Sequence, residues 1–166
     1  MTRNIIAIDL DSCIGCHSCA VVCKQENNVG LGTYYNKVLT VGPSGTYPDL
    51  EMYYLPVACQ HCDNPSCLNV CPTGATQKRE DGIVWVDNEL CIGCESCIKA
   101  CPYEGVRTLI ANEPEYYLDV VVGEFDAPTH KAGTVEKCTF CHNLIDRGEV
   151  PACMQLCPAR ARYWGD

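Results

Sequence analysis

The chain has 166 residues with 12 Lys+Arg against 21 Asp+Glu, a formal net charge of -9, and no basic run that could track a phosphate backbone, so nucleic acid is not expected as a partner. Sixteen cysteines make up about a tenth of it, far beyond ordinary enzyme usage. Without them the apolar share falls from 47% to about 37%, and Leu, Ile, Val and Phe together reach only about 22%, so the thiols must supply cohesion that apolar packing cannot.

In chain order, the opening segment reads MTRNIIAIDLDS. It shows no apolar h-region, twin arginine or small-residue cleavage site, so no export signal is expected there. Apolar stretches such as 118–122 are too short to cross a bilayer, which argues against direct membrane insertion. Without an export signal, a large disulfide framework loses its usual compartment.

The cysteines then fall into four groups of four. The first is Cys13, Cys16, Cys19 and Cys23, in CIGCHSCAVVC, with Lys24 following. The second is Cys59, Cys62, Cys67 and Cys71, in CQHCDNPSCLNVCP. The third, Cys91, Cys94, Cys97 and Cys101, reads CIGCESCIKACP, the run found in bacterial 4Fe-4S ferredoxins. The fourth, Cys138, Cys141, Cys153 and Cys157, is opened by an eleven-residue gap in CTFCHNLIDRGEVPACMQLCP. None is left over, and four motifs sharing a C-x3-C ending are highly specific.

Three cysteines at i, i+3 and i+6 in a turn-rich loop can wrap one corner of a cubane, with Gly15 and Gly93 easing the backbone toward inorganic sulfide. The fourth follows the third by about one helical turn, and an adjacent proline biases the chain away from continuing it. Its sulfur is therefore offered to a different cluster, the cross-ligation of two-cluster ferredoxins.

Between the second and third groups, PTGATQKREDGIVWVDNEL carries an Asp81-Gly82 hairpin signal and an alternating strand over 83–86, a ferredoxin-like connector. PARARYWGD after Cys157 echoes its first half, and NIIAIDLDS before Cys13 echoes its second. The expected fold is α+β: two ferredoxin-like modules, one inserted into a circularly permuted other. The inserted two-cluster module spans 51–110; the terminal one, with linkers, spans 1–50 plus 111–166. This nested reading assigns Cys13, Cys16, Cys19 and Cys157 to cluster 1, and Cys23, Cys138, Cys141 and Cys153 to cluster 2. Cys59, Cys62, Cys67 and Cys101 hold cluster 3; Cys71, Cys91, Cys94 and Cys97 hold cluster 4. Sequential pairing, first group with second and third with fourth, stays open, since the intervals Cys23 to Cys59 and Cys101 to Cys138 are similar in length.

A zinc-stabilised interaction module is the rival from another class, although zinc favours two separated thiolate pairs over three cysteines within seven residues. His17, His61, His130 and His142 are superfluous as ligands and read as surface or hydrogen-bonding residues. The linkers 24–58 and 102–137 show turn signals at Gly42-Pro43 and Pro48-Asp49 and strand-like runs over 34–41, 52–57 and 117–122. The pairs Tyr34-Tyr35, Tyr53-Tyr54 and Tyr116-Tyr117 read as shielding for clusters, with a partner surface as the other option. Lys24, Lys99, Arg160 and Arg162 stand beside cluster ligands in sequence and are candidates to tune a potential. No nucleophile with a base, oxyanion donors or substrate pocket is legible, so the chain is not expected to be catalytic alone.

The run from LPVACQHCDNPSCLNVCP to CIGCESCIKACPY, with VEKCTFCHNLIDRGEVPACMQLCPARARYWGD and CIGCHSCAVVCKQENNV, resembles the four-cluster iron-sulfur subunit of the dimethyl sulfoxide reductase family of molybdopterin oxidoreductases. PYEGVR departs from the family's PYGAR-like string. The resemblance implies four 4Fe-4S clusters held by all sixteen cysteines in the nested pairing. It implies single-electron relay between a molybdopterin (Mo or W) catalytic subunit and a quinone-linked membrane anchor subunit or a soluble electron carrier. The cluster of Cys13 would face the catalytic subunit, and the protein would be cytoplasmic or exported folded with a signal-bearing catalytic partner. An accessory iron-sulfur subunit of a hydrogenase or formate-lyase complex is the alternative within this class.

Overall fold

The structure, a computed structural model, describes residues 3–116, 118, 120 and 130–165. Its elements follow in the order β1 (Ile5–Ile8), α1 (Ser18–Glu26), β2 (Asn36–Thr46), β3 (Asp49–Ala58), α2 (Ser66–Asn69), β4 (Thr76–Lys78), β5 (Val84–Val86), α3 (Ser96–Lys99), β6 (Arg107–Ile110), β7 (Thr134–Lys137), α4 (His142–Asp146), α5 (Ala152–Gln155) and β8 (Arg162–Gly165). Mixed short helices and strands of this kind form ferredoxin-like units. The strand expected over 117–122 and the Tyr117 half of its tyrosine pair lie outside the described residues.

Helix length follows the residue after each fourth cysteine. Where Pro72, Pro102 or Pro158 stands there, α2, α3 and α5 each stop after four residues, because proline disfavours helical φ/ψ in the residue before it. Where Lys24 stands instead, α1 runs on to nine. The third cysteine of every group lies in a helix, and only in α1 does the fourth lie there too.

Among the described residues the strands pair as four two-stranded sheets, β1-β8, β2-β3, β4-β5 and β6-β7. The β4-β5 hairpin is the connector read from the sequence, with Thr76 opposite Val86 and the turn closed by an Arg79 N-H to Ile83 carbonyl bond of 2.8 Å. β1 and β8 form an antiparallel ladder from Ile5 opposite Gly165 to Ile8 opposite Arg162. The two echoing segments at opposite ends of the sequence thus meet as strands, as expected.

Gly42-Pro43 is not a chain reversal. It sits where the β2-β3 register shifts between Val41 and Ser44, since a proline without an N-H is tolerated at a bulge while pairing resumes beyond it. The reversal is at Tyr47-Pro48, and the hairpin it closes pairs residues on both sides of the expected 50/51 division.

The apolar core is divided and built around thiols. Val22, Leu144 and Ala152 pack with Cys141 and Cys153, while Val29 and Tyr35 pack with Cys23 and Cys138. Phe140 ties the segments together, its ring centroid 4.5 Å from His61 and 5.4 Å from Trp164. Arg79 of the connector makes a two-pronged ion pair with Asp146 of α4, with Nη1 to Oδ2 at 2.9 Å.

Gly15 and Gly93 both have φ +65, and what crowds them is protein as well as any cluster: a Cβ on Gly15 would overlap the Tyr54 ring, and one on Gly93 the Gly133 carbonyl oxygen. Left-handed strain of about 1 kcal/mol plus overpacking of about 1–3 kcal/mol gives a cost of roughly 2–4 kcal/mol for Gly93→Ala. Anaerobic guanidinium unfolding of the cluster-loaded protein should show this as an earlier midpoint.

Candidate cluster sites

The helices and loops bring the cysteines together in sets drawn from distant parts of the chain. One cavity is lined by Cys13, Cys16, Cys19 and Cys157. A second is lined by Cys23, Cys138, Cys141 and Cys153, with Cys59 as a fifth thiol. A third is lined by Cys71, Cys91, Cys94 and Cys97. In the remaining group Cys67 lies within the field of Cys59, and the Ser66 hydroxyl donates to the Ala100 carbonyl at 3.0 Å, holding α2 against the end of α3. Cys101 stands at its margin, with Sγ 3.5 Å from the Tyr103 carbonyl, and the contacts described do not tie Cys62 to the other three.

Among the described residues no three His, Cys, Asp or Glu side chains form a group that could hold a single metal ion. A tetrahedral zinc with bonds of about 2.3 Å draws its sulfurs to within about 4 Å of one another. These thiols instead surround space, which suits a many-atom cluster bridged by its own sulfide.

Hydrogen bonds aim at the sulfurs. The backbone N-H of Thr76 points at Cys71, that of Val135 at Cys91 and that of Phe140 at Cys138, each 3.4 Å from Sγ. The Asn27 amide lies 3.7 Å from Cys23 and 3.9 Å from Cys141, and Arg162 Nη1 lies 3.4 Å from Cys153. Such donors stabilise the thiolate and the reduced cluster.

Burial pushes the Cys138 thiol up to about 12 and the Cys141 thiol up to about 11. It also raises Cys23 well above the usual thiol range, helped by the negative charges of Cys138, Cys141 and Cys153. Thiols so placed do not ionise at neutral pH on their own. As cluster ligands they would be ionised by the metal centre, whose positive charge repays the burial.

Two buried polar groups find no protein partner: His61 Nε2, and Nη1 and Nη2 of Arg107. His61 Nδ1 accepts the Val84 N-H at 3.0 Å, which leaves the proton on Nε2. Burial holds its pKa well below the usual imidazole value, helped by Lys137 and Arg107, so the ring is neutral. Unsatisfied buried donors are costly, and the Arg107 guanidinium lies within the field of the Cys67 and Cys97 thiols, where a sulfide-rich group would suit it.

His130 is satisfied instead. Nε2 donates to the Asn27 carbonyl at 2.7 Å and Nδ1 lies 2.8 Å from Glu136 Oε1, whose other oxygen accepts the Tyr35 hydroxyl at 2.6 Å. Both buried rings make hydrogen bonds through at least one nitrogen, as expected of them. Burial works against the His130 charge, but the bonds to Glu136 outweigh it and raise its pKa above the ordinary value. The folded protein therefore binds this proton more tightly than the unfolded one. The resulting stabilisation is full below the unfolded imidazole value of about 6.5 and fades as pH rises through the higher folded value. In anaerobic melting His130→Gln should therefore lose more midpoint at pH 6 than at pH 8, a comparison in which His61 and His142, whose values burial lowers and which act in the opposite sense, cancel.

Of the four cations singled out from the sequence, Arg162 is the one with a bond to a thiol. Lys24 Nζ bonds the Gly30 and Thr33 carbonyls at 2.6 and 2.8 Å and lies over the Tyr34 ring. Sequence reasoning passed over Asn27, Arg107, Lys137 and the His130-Glu136-Tyr35 network. A charged residue within an apolar strand run, as in VRTLI and TVEKC, is the signal that could have pointed to two of them.

The comparisons identify the family. A family described as 4Fe-4S dicluster domain matches residues 50–113 and 125–166, and a second of the same description matches 12–75. A Halobacterium salinarum protein, provisionally named as an iron-sulfur subunit of dimethyl sulfoxide reductase, is 47% identical, covering 100% of this chain and 67% of its own. The arsenate respiratory reductase iron-sulfur subunit of a Shewanella species is 35% identical over 97% of this chain and 80% of its own. A sulfite dehydrogenase subunit of Allochromatium vinosum is 37% identical over 100% and 70%. Motifs, thiol-lined cavities and relatives converge: the chain belongs to the 4Fe-4S dicluster family and, within it, to the electron-transfer iron-sulfur subunits of the dimethyl sulfoxide reductase family.

Proposed function

We propose that this chain is a four-cluster wire in a molybdopterin oxidoreductase complex, its sixteen cysteines holding four 4Fe-4S clusters in the nested sets. The observation that carries the reading is Cys157 in one cavity with Cys13, Cys16 and Cys19, a grouping that sequential pairing would not produce. The β1-β8 ladder supports the terminal module, 1–50 plus 111–166, as a permuted ferredoxin unit with 51–110 inserted. When bound, each cluster accepts and returns a single electron. The chain's own part is to hold the thiolates, exclude water and aim donors at sulfur.

Cys59 beside the Cys23-Cys138-Cys141-Cys153 set brings clusters 2 and 3 together across the module boundary, which favours the order 1, 2, 3, 4. One end serves the catalytic subunit with its Mo or W bis-pterin cofactor, the cluster of Cys13 being nearest. The other end serves a membrane subunit or a soluble carrier. Leu39, Tyr47, Leu50 and Met52 of the β2-β3 hairpin are all exposed, a surface suited to a permanent partner. No helix among the described residues is long and apolar enough to cross a membrane. The reductase and dehydrogenase relatives do not favour the hydrogenase alternative.

Anaerobic purification with metal and sulfide analysis tests this reading. About sixteen iron and sixteen sulfide per chain are expected, from four atoms of each per cubane. About four zinc with little iron would falsify it in favour of the zinc-stabilised module.

A further inference from the structure

Among the described residues three cations lie buried without a carboxylate partner. Arg107, Lys137 and Arg162 are 5%, 4% and 6% exposed, and none of the ion pairs among the described residues includes them. Two of them oppose each other: Arg107 on β6 is the register partner of Lys137 on β7. Like charges facing across a ladder are destabilising, and an uncompensated buried charge is strongly so. A fold keeps such an arrangement when anions that are not side-chain carboxylates stand close by.

Their positions are orderly. Arg162 lines both the Cys13-Cys16-Cys19-Cys157 cavity and the Cys23-Cys138-Cys141-Cys153 cavity, with Nη1 3.4 Å from Cys153 and Nη2 3.4 Å from the Asn36 side-chain oxygen. Lys137 Nζ donates to the Val84 carbonyl on the connector and, at 2.8 Å, to the Cys138 carbonyl in the terminal module. Its charge acts on Cys67 of the cluster 3 set and on Cys138 of the cluster 2 set, which puts it at the joint between them. The Arg107 guanidinium acts on Cys67 and Cys97, favouring the thiolate of each against the effect of burial, and Nη1 and Nη2 have no protein partner. It stands where clusters 3 and 4 approach.

We propose that Arg162, Lys137 and Arg107 are the counter-charges of the wire, one in each gap between consecutive clusters. This rests on the nested four-cluster reading above. Adding an electron to an anionic cluster in a low-dielectric interior is opposed by the charge already there, and a cation in contact offsets that cost. Placed between two clusters, one cation favours the electron on either side. It raises both potentials together and leaves the step between them small. The residues are positioning groups and touch no substrate.

The test is an EPR-monitored redox titration of the full chain loaded anaerobically, with iron counted in every sample. Arg107→Gln should keep sixteen iron and lower the midpoint potentials of the two clusters of the inserted module. Arg162→Gln should lower the two of the terminal module, and Lys137→Gln one in each. Arg107→Lys, which retains the charge, should restore most of the shift. Full loading with all four potentials unmoved in Arg107→Gln overturns the proposal while leaving four clusters in place. Cluster loss in both Arg107→Gln and Arg107→Lys overturns it in favour of a shape requirement. A wild-type chain with fewer than four 4Fe-4S clusters overturns the underlying reading and the proposal with it.

Discussion

Exchanging Cys13 for serine is expected to cut turnover with the physiological electron partner by about 100-fold or more, while the isolated catalytic subunit still turns over with an artificial dye. Changes to groups that merely support a metal ligand cost about 10–100-fold, and this change removes a ligand from the cluster assigned to the catalytic end. Cys13, Cys16, Cys19 and Cys157 line their own cavity, so the damage should be confined. The EPR signal of one cluster should vanish or convert to a three-iron form, with the other three retained. Undiminished physiological turnover in a variant shown to lack that cluster would refute the relay.

The largest loss of stability from one side chain outside the thiols is expected at Phe140. Its ring is buried between His61 of the inserted segment and Trp164 of the last strand, and it lines the cavity of Cys23 and Cys138. Truncating a core aromatic to alanine costs about 3–5 kcal/mol, through lost transfer energy and the void left behind. Here the void would also open a route for water to a cluster. Phe140→Ala should unfold at markedly lower guanidinium concentration and bleach faster in air. Phe140→Leu should recover most of the first effect.

Much of the site was legible because its signal is local. Spacing set by the geometry of a cubane and one helical turn can be read without the fold, so four motifs name sixteen candidate ligands. The proline after three of the four groups forecasts where α2, α3 and α5 end, and Lys24 marks the longer α1. The β4-β5 and β1-β8 pairs were visible as an internal echo. The β6-β7 ladder was not, since neither RTLI nor TVEK shows the alternation of a half-exposed strand. Residues of β7 are buried throughout, and burial on every side erases the period that sequence reading depends on. Arg107 and Lys137 escaped for the same reason. A charge in a strand reads as solvent-facing until its neighbours are known, and here the partner strand lies across a long linker, β6 ending at Ile110 and β7 starting at Thr134. Gly42-Pro43 misled because turn chemistry and bulge chemistry use the same residues.

The β1-β8 ladder also fixes a timetable. Ile8 and Arg162 leave the ribosome roughly 8–30 s apart at a synthesis rate of about 5–20 residues per second. Over that interval the β4-β5 hairpin can already be closed, whereas β1 waits as an unpaired edge open to wrong partners. A premature stop anywhere before β8 therefore leaves a nascent chain whose first cysteine motif has no closing strand to settle against. Quality control that recognises an uncovered β1 would discard incomplete chains before they could join a complex.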